Sequence, residues 1–305
     1  MTLPNFLILG TQKAATTWMH RCMREHPDIF MPRKKEIPFF EEPYYSEHNQ
    51  DIKWYEQWFA EYAGQKAIGE ARPSYLYRKE SPGLIYKHLP NARLIVSLRD
   101  PVDRAISAYF WIMRMGYIPI RDPNEWFRES NWGDWRSVNY VSERVRKAVR
   151  NSQRVTSEES GQLAEASYES ILEMGFYYEQ LMRYLDLFPR EKILVLIYED
   201  ICINPVHWLQ TIFRFLEVDD SFIPPSINAK ELTGEYSLVG THLLHRAWHY
   251  GLTKPVNYLV RILGHLGLKK EMPISEDVIA KLANLYRQQN TKLAEFLHRD
   301  LNMWK

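Results

Sequence analysis

Residues 5–18 read NFLILGTQKAATTW, and this stretch decides the fold. Asn5 to Leu9 is a short apolar run bounded by Gly10, which reads as a buried strand. Gly10 to Ala15 is a loop of small residues carrying one Lys. Thr16 to Glu25 then contains no helix breaker and stops at His26-Pro27, as a helix does. Working outward, Lys66 to Gly69, Leu94 to Leu98 and Ile193 to Tyr198 repeat the short apolar pattern of strands covered on both faces. Pro101 to Met113, Phe176 to Leu187 and Pro205 to Leu216 read as helices between them, the last with Asn204 as N-cap and Pro205 at the first helical position. Ser275 to His298 is a closing amphipathic helix, with Val278, Leu282, Tyr286 and Leu293 at helical spacing. Alternating β and α elements predict a three-layer α/β fold, P-loop-like, with a central parallel sheet flanked by helices.

The turn from strand to helix after Gly10 is suited to an anion. Backbone N–H groups of residues 13–18 gather where the helix dipole begins, Lys13 adds a full charge, and the Thr16 and Thr17 hydroxyls can donate to phosphate oxygens. The spacing departs from the Walker A pattern, in which the Lys follows the second Gly, so an ordinary ATP or GTP site is disfavoured. A tight turn with a solvated Lys is the competing reading of this segment taken alone. A second segment, RLIVSLRDPVDRAISAY over residues 93–109, repeats the logic. Arg99 ends a strand, Asp100 and Pro101 open a helix, and Ser107 follows in its second turn. Because ligands of open α/β sheets bind off the carboxyl ends of strands, Arg99 and the Lys13 loop are expected on one sheet edge. The alternative for this segment is a local ion pair at Arg99 and a packed helix hydroxyl at Ser107.

Composition narrows the class of partner. The 305 residues hold 39 Lys and Arg against 38 Asp and Glu, a net charge of +1. That balance argues against a broad nucleic-acid face and for a focused anion pocket. The two cysteines, Cys22 and Cys202, form neither a disulfide framework nor a zinc spacing, and no metal is expected. The first ten residues are too short for a signal peptide, and the apolar stretch 243–268 is broken by charges and Pro255. The expectation is a cytoplasmic protein.

The two anion segments together resemble the sulfotransferases that use 3′-phosphoadenosine 5′-phosphosulfate (PAPS). G-x-x-K-x-x-T-T at Gly10–Thr17 is similar to their 5′-phosphosulfate loop, and R-D-P-x-x-R-x-x-S-x-Y at Arg99–Tyr109 to their 3′-phosphate motif. Lys35-Glu36-Ile37-Pro38-Phe39-Phe40 resembles the K-E-x-x-F-F segment of the heparan-type and bacterial branch. Gly69-Glu70-Ala71-Arg72-Pro73-Ser74-Tyr75, the segment from Gly175 to Leu196 and the stretch 285–304 are also similar to family segments. The resemblance implies a single sulfotransferase domain over 1–305, moving a sulfuryl group from PAPS to a hydroxyl or amine and releasing adenosine 3′,5′-bisphosphate. It implies that Lys13 stabilises the leaving oxygen, that Lys13, Ala14, Ala15, Thr16, Thr17 and Trp18 hold the 5′ end of the donor, that Arg99 and Ser107 hold its 3′-phosphate, and that Glu36 is the general base. His88 is the rival base, with a superficial resemblance to the His of the cytosolic aryl and steroid branch. Two departures stand out: Ala15 occupies a position more often Gly, and Ala71 one that is Lys in heparan-type enzymes, with Arg72 beside it as the candidate substitute. The alternative function is a P-loop nucleotide-binding protein or kinase without sulfuryl transfer.

The acceptor is less legible. Residues 117–170 read as an insertion on the acceptor side, and 219–305 as a C-terminal loop and helical region. Trp126, Trp132 and Trp135 either stack on an acceptor or pack the insertion. The basic run at Arg144, Arg146, Lys147, Arg150 and Arg154, and the mixed stretch 241–268, suit either a solvated face or peripheral contact with a membrane. A carbohydrate, a lipid and a small metabolite all remain acceptor classes. The oligomeric state is not fixed by these residues.

Overall fold

The architecture was obtained as a computed structural model, which describes residues 2–42, 44–114, 122–127, 168–229 and 273–305. In chain order the elements are β1 (Phe6–Gly10), α1 (Thr16–Arg24), β2 (Ile29–Phe30), α2 (Tyr44–Glu47), α3 (Ile52–Glu56), β3 (Ala67–Ala71), α4 (Ser81–His88), β4 (Arg93–Leu98) and α5 (Pro101–Arg114). There follow α6 (Pro123–Trp126), α7 (Tyr168–Glu173), α8 (Tyr177–Leu185), β5 (Ile193–Ile197), α9 (Tyr198–Ile203), α10 (Pro205–Leu216) and α11 (Glu276–Leu297). The chain divides into two compact units, Met1–Asp100 with Phe176–Glu231 and Pro101–Gly175 with Leu232–Lys305.

The first unit holds the sheet, in the order β2-β3-β1-β4-β5 with every pairing parallel. As predicted, β1 is apolar on both faces, and all five of its residues are buried. Phe6, Ile8 and Ile95 of the sheet pack with Met19, Cys22 and Met23 of α1 and Leu209, Ile212 and Phe213 of α10. Gly69, predicted as a strand end, lies inside β3, where a Cβ would come within 2.2 Å of the Phe6 ring and only glycine fits. The predicted strand Ile193 to Tyr198 stops one residue early. Glu199 and Asp200 place negative charge in the first turn of α9, which favours a helix start at Tyr198. Asn204 caps α10 as expected, its side chain accepting from the His207 N–H at 3.1 Å.

The second unit is helical among the described residues. α5 packs against α7 and α11, and Ser275 caps α11 by accepting from the Val278 N–H. Tyr286 of α11 donates to the Leu172 carbonyl at 2.8 Å. Arg104 of α5 is fully buried and donates to the Ile171 carbonyl. Trp126 is 3% exposed and packs against Tyr109 and Phe127, so this tryptophan is core rather than acceptor surface. Trp132, Trp135, the basic run 144–154 and the stretch 241–268 lie outside the described residues.

Candidate active site

The site is built at the carboxyl ends of β1, β3 and β4. Gly10 ends β1 at φ +148, and a Cβ there would sit 2.8 Å from the Pro73 carbonyl oxygen. Only glycine lets the chain leave the strand so close to the next segment. The Thr11 N–H then donates to Ser97 of β4 at 2.8 Å, which carries the loop along the sheet edge. Lys13 (φ 70) and Ala15 (φ 63) are both left-handed. Ala15 is therefore strained where the family more often has Gly, and it carries that conformation as the N-cap of α1 without side-chain capping. The first-turn amides of α1 have no intrahelical carbonyl to donate to, an arrangement that suits an anion. Thr16 is buried and Thr17 exposed at this turn. Trp18 is 7% exposed and donates its indole N–H to the Ile227 carbonyl at 3.0 Å.

Arg99 reaches the loop as predicted. Its Nη1 donates to the Lys13 carbonyl at 3.2 Å, its guanidinium lies 4.7 Å from the centre of the Tyr198 ring, and its own carbonyl accepts from the Tyr177 hydroxyl at 2.8 Å. Half-buried and held from three sides, it is fixed beside the loop. Ser107 is half-buried in the second turn of α5 and belongs to the second unit.

Glu36 is brought to the same edge. Its backbone takes φ 67, its N–H donates to Ala71 at the end of β3 (3.1 Å), and its carboxylate accepts from Lys35 Nζ at 2.6 Å. The same Nζ lies 3.4 Å from Thr16 Oγ1, to which it donates. Burial pushes the Glu36 carboxyl up, but the charge and hydrogen bond of Lys35, then Arg72 and His20, bring it below the ordinary glutamate range. His20 lies under this cluster, 6% exposed, with Nε2 3.0 Å from the Pro32 carbonyl. Burial first, then the Lys35 charge, lower its imidazole to about 4, so it is neutral at pH 7. Lys35 is visible in the sequence as the first residue of the K-E-x-x-F-F segment, though with no role assigned to it, whereas His20 carries no sequence signal.

His88 sits elsewhere. It ends α4 inside an aromatic cluster, with Nε2 2.8 Å from the Tyr45 hydroxyl and its ring against Phe39 and Phe40. Burial, then Lys87, lower its pKa. Arg72, the candidate substitute for the Lys that heparan-type enzymes carry at position 71, is 4% exposed, and its guanidinium is turned to Glu41 and to the Glu36 carbonyl. Among the described residues no group of His, Cys, Asp and Glu could hold a metal.

An uncapped helix start, a charged Lys, a fixed Arg and an ionised carboxylate thus share one sheet edge. These groups suit an anionic ligand. Comparison with known proteins agrees. A membrane-associated sulfotransferase of Dictyostelium discoideum, kil1, is 26% identical over 98% of this chain. Human heparan sulfate glucosamine 3-O-sulfotransferase 5 is 22% identical over 98%, and the human bifunctional heparan sulfate N-deacetylase/N-sulfotransferase 3 is 24% identical over 97%. The chain spans 66% of kil1, 74% of the 3-O-sulfotransferase and 30% of the bifunctional enzyme. A solved sulfotransferase from Alicyclobacillus acidocaldarius shares the fold, with a TM-score of 0.63 over all of this chain and 99% of that one at 24% identity. Residues 3–230 match the sulfotransferase domain, and the chain belongs to that family.

Proposed function

We propose that the chain transfers a sulfuryl group from PAPS to a hydroxyl or amine of an acceptor. One observation carries the reading: Lys35 Nζ joins the donor loop, through Thr16, to the carboxylate of Glu36. An anion cradle and a candidate base are thereby held within one side chain's reach. Adenosine 3′,5′-bisphosphate is the leaving group. Lys13 balances charge on the leaving oxygen, the amides of residues 13–18 with Thr16 and Thr17 hold the 5′-phosphate, and Arg99 with Ser107 holds the 3′-phosphate. Glu36, ionised at neutral pH, accepts the acceptor proton as the new S–O or S–N bond forms. Placement and charge stabilisation supply most of the acceleration, as in phosphoryl transfer.

Carbohydrate, lipid and small metabolite are all admissible acceptors. The heparan sulfate relatives favour the first, and the membrane-associated relative favours an acceptor met at a membrane surface. Among the described residues no helix is long and apolar enough to cross a membrane, and we assign the chain to the cytoplasm with peripheral membrane contact. The kinase alternative is not favoured by the family match. The experiment is a thermal shift with adenosine 3′,5′-bisphosphate and with ATP, followed by transfer of radiolabelled sulfate to acceptors of the three classes. Stabilisation by the bisphosphate alone, with labelled product, supports the reading. Equal stabilisation by ATP with Mg²⁺ and no labelled product refutes it. Bisphosphate binding without transfer would instead mark a nucleotide-binding protein that has lost the chemistry.

A further inference from the structure

Glu36 holds a conformation that its own sequence does not favour. A non-glycine residue at φ 67 is strained, and such strain persists only where the surroundings impose it. The imposing groups come from the segment after β3. Arg72 donates Nη1 to the Glu36 carbonyl at 2.9 Å and Nη2 to the Glu41 carboxylate. Glu41 is fully buried and also accepts from Ser74 Oγ at 2.8 Å, with Arg78 Nε 3.9 Å from the same oxygen. The Arg72 backbone N–H in turn donates to the Ile8 carbonyl of β1 at 3.0 Å, so the main chain that carries the guanidinium is anchored to the sheet. The planar fork of Arg serves a carbonyl and a carboxylate at once, a geometry that Lys cannot reproduce. Buried ion pairs of this kind are weak contributors to stability, and their best use is to fix one arrangement.

We propose that Arg72 and Glu41 are positioning residues for the reaction, clamping the Glu36 backbone so that its carboxylate faces Lys35 and the donor loop. This rests on the reading of Glu36 as the base. The pair acts through Glu36 and touches neither donor nor acceptor.

The test uses the whole chain with Arg72→Lys and Glu41→Gln. Three quantities are measured: affinity for adenosine 3′,5′-bisphosphate, the carbon-13 titration of the Glu36 carboxyl (identified by its loss in Glu36→Gln), and turnover at saturating donor. The clamp requires bisphosphate affinity within about twofold of wild type, a Glu36 midpoint displaced upward as the carboxylate leaves Lys35, and turnover down roughly tenfold or more. An unchanged midpoint and turnover in a folded variant overturns the proposal, as does bisphosphate affinity falling in parallel with turnover, which would mark general structural support. If both variants fail to fold, Ser74→Ala takes their place, since it removes one bond from Glu41 and leaves the ion pair. A smaller upward displacement then supports the clamp, and none overturns it. Failure of wild type to bind the bisphosphate would refute the donor reading separately, because the Glu36 titration needs no ligand.

Discussion

The Arg99 guanidinium donates to the Lys13 backbone carbonyl across 3.2 Å. The residue assigned to one end of the donor therefore also braces the loop assigned to the other. Arg99→Ala should remove a charge-assisted contact and loosen the loop. A loss of about 1.5–3 kcal/mol corresponds to roughly a tenfold to hundredfold rise in the Kd for adenosine 3′,5′-bisphosphate. Calorimetric titration measures it, and wild-type affinity in the variant would contradict the assignment.

Lys13→Ala should behave differently. A group acting on charge that develops during transfer affects kcat more than product affinity, and loss of one such group costs about 10²–10³ in rate. Steady-state kinetics beside the Arg99 variant separate the two roles. Equal effects on binding and turnover would show that Lys13 only holds the donor.

Glu36 and Lys35 make a pH prediction. The charges facing Glu36 come from Lys35 beside it and Arg72 after β3, with His20 on α1 adding to them only once it is protonated, and they hold its carboxyl below the ordinary range despite burial. The acidic limb of turnover should therefore lie below the usual glutamate range in wild type. In Lys35→Met it should move to higher pH, because the largest stabiliser of the ionised form is gone. A limb that stays in place would detach Glu36 from the base role, as would normal turnover in Glu36→Gln.

Two buried groups give opposite pH dependences of stability. His20 falls from its usual 6.5 to about 4 in the folded chain, so its share of stability is lost as pH drops through that window. Glu70 is 2% exposed, with the Tyr75 and Tyr55 hydroxyls next to its carboxyl. Burial raises it from 4.5 to about 7 against the pull of Tyr75, Tyr55 and Arg72. Its share is present below about 4.5 and lost as pH rises toward 7. Each displacement amounts to roughly 3 kcal/mol, and the two oppose one another where they overlap. Relative to wild type, Glu70→Gln should gain stability from pH 4.5 to 7, and His20→Gln should gain as pH falls from 6.5 to 4. Urea unfolding across pH checks both, and variant curves parallel to wild type would reject them.

Gly10→Ala probes the strand exit. The added methyl would meet the Pro73 carbonyl at 2.8 Å, on a backbone that side chains disfavour. A destabilisation of at least about 1–3 kcal/mol should appear as a lowered Tm, with weakened bisphosphate binding. Unchanged values would mean that the loop can leave β1 by another path.

What the sequence discloses follows the range of the interactions. β1, the loop and α1 are contiguous, so the apolar run, the small residues and the absence of breakers all fall within one window. Asn204 and Ser275 are equally local signals, and both cap their helices. β2 has two residues and no periodicity to read. Gly69 looks like a strand end until Phe6 is known to lie against it. Lys13 and Glu36 are visible as motif residues, but the ammonium that joins their segments belongs to Lys35, whose bond to Thr16 spans 19 residues. The Arg72–Glu41 pair, 31 residues apart, depends on where β3 delivers the chain.

Trp18 has a practical consequence. Its indole is shielded from water, hydrogen-bonded to Ile227, and only two residues beyond Thr16 of the donor loop. A fluorophore so screened from solvent relaxation emits to the blue of an exposed indole, and any rearrangement of the loop alters its surroundings. The difference spectrum between wild type and Trp18→Phe isolates that emission from the other nine tryptophans, which supplies an intrinsic optical readout for the nucleotide-binding experiment proposed above.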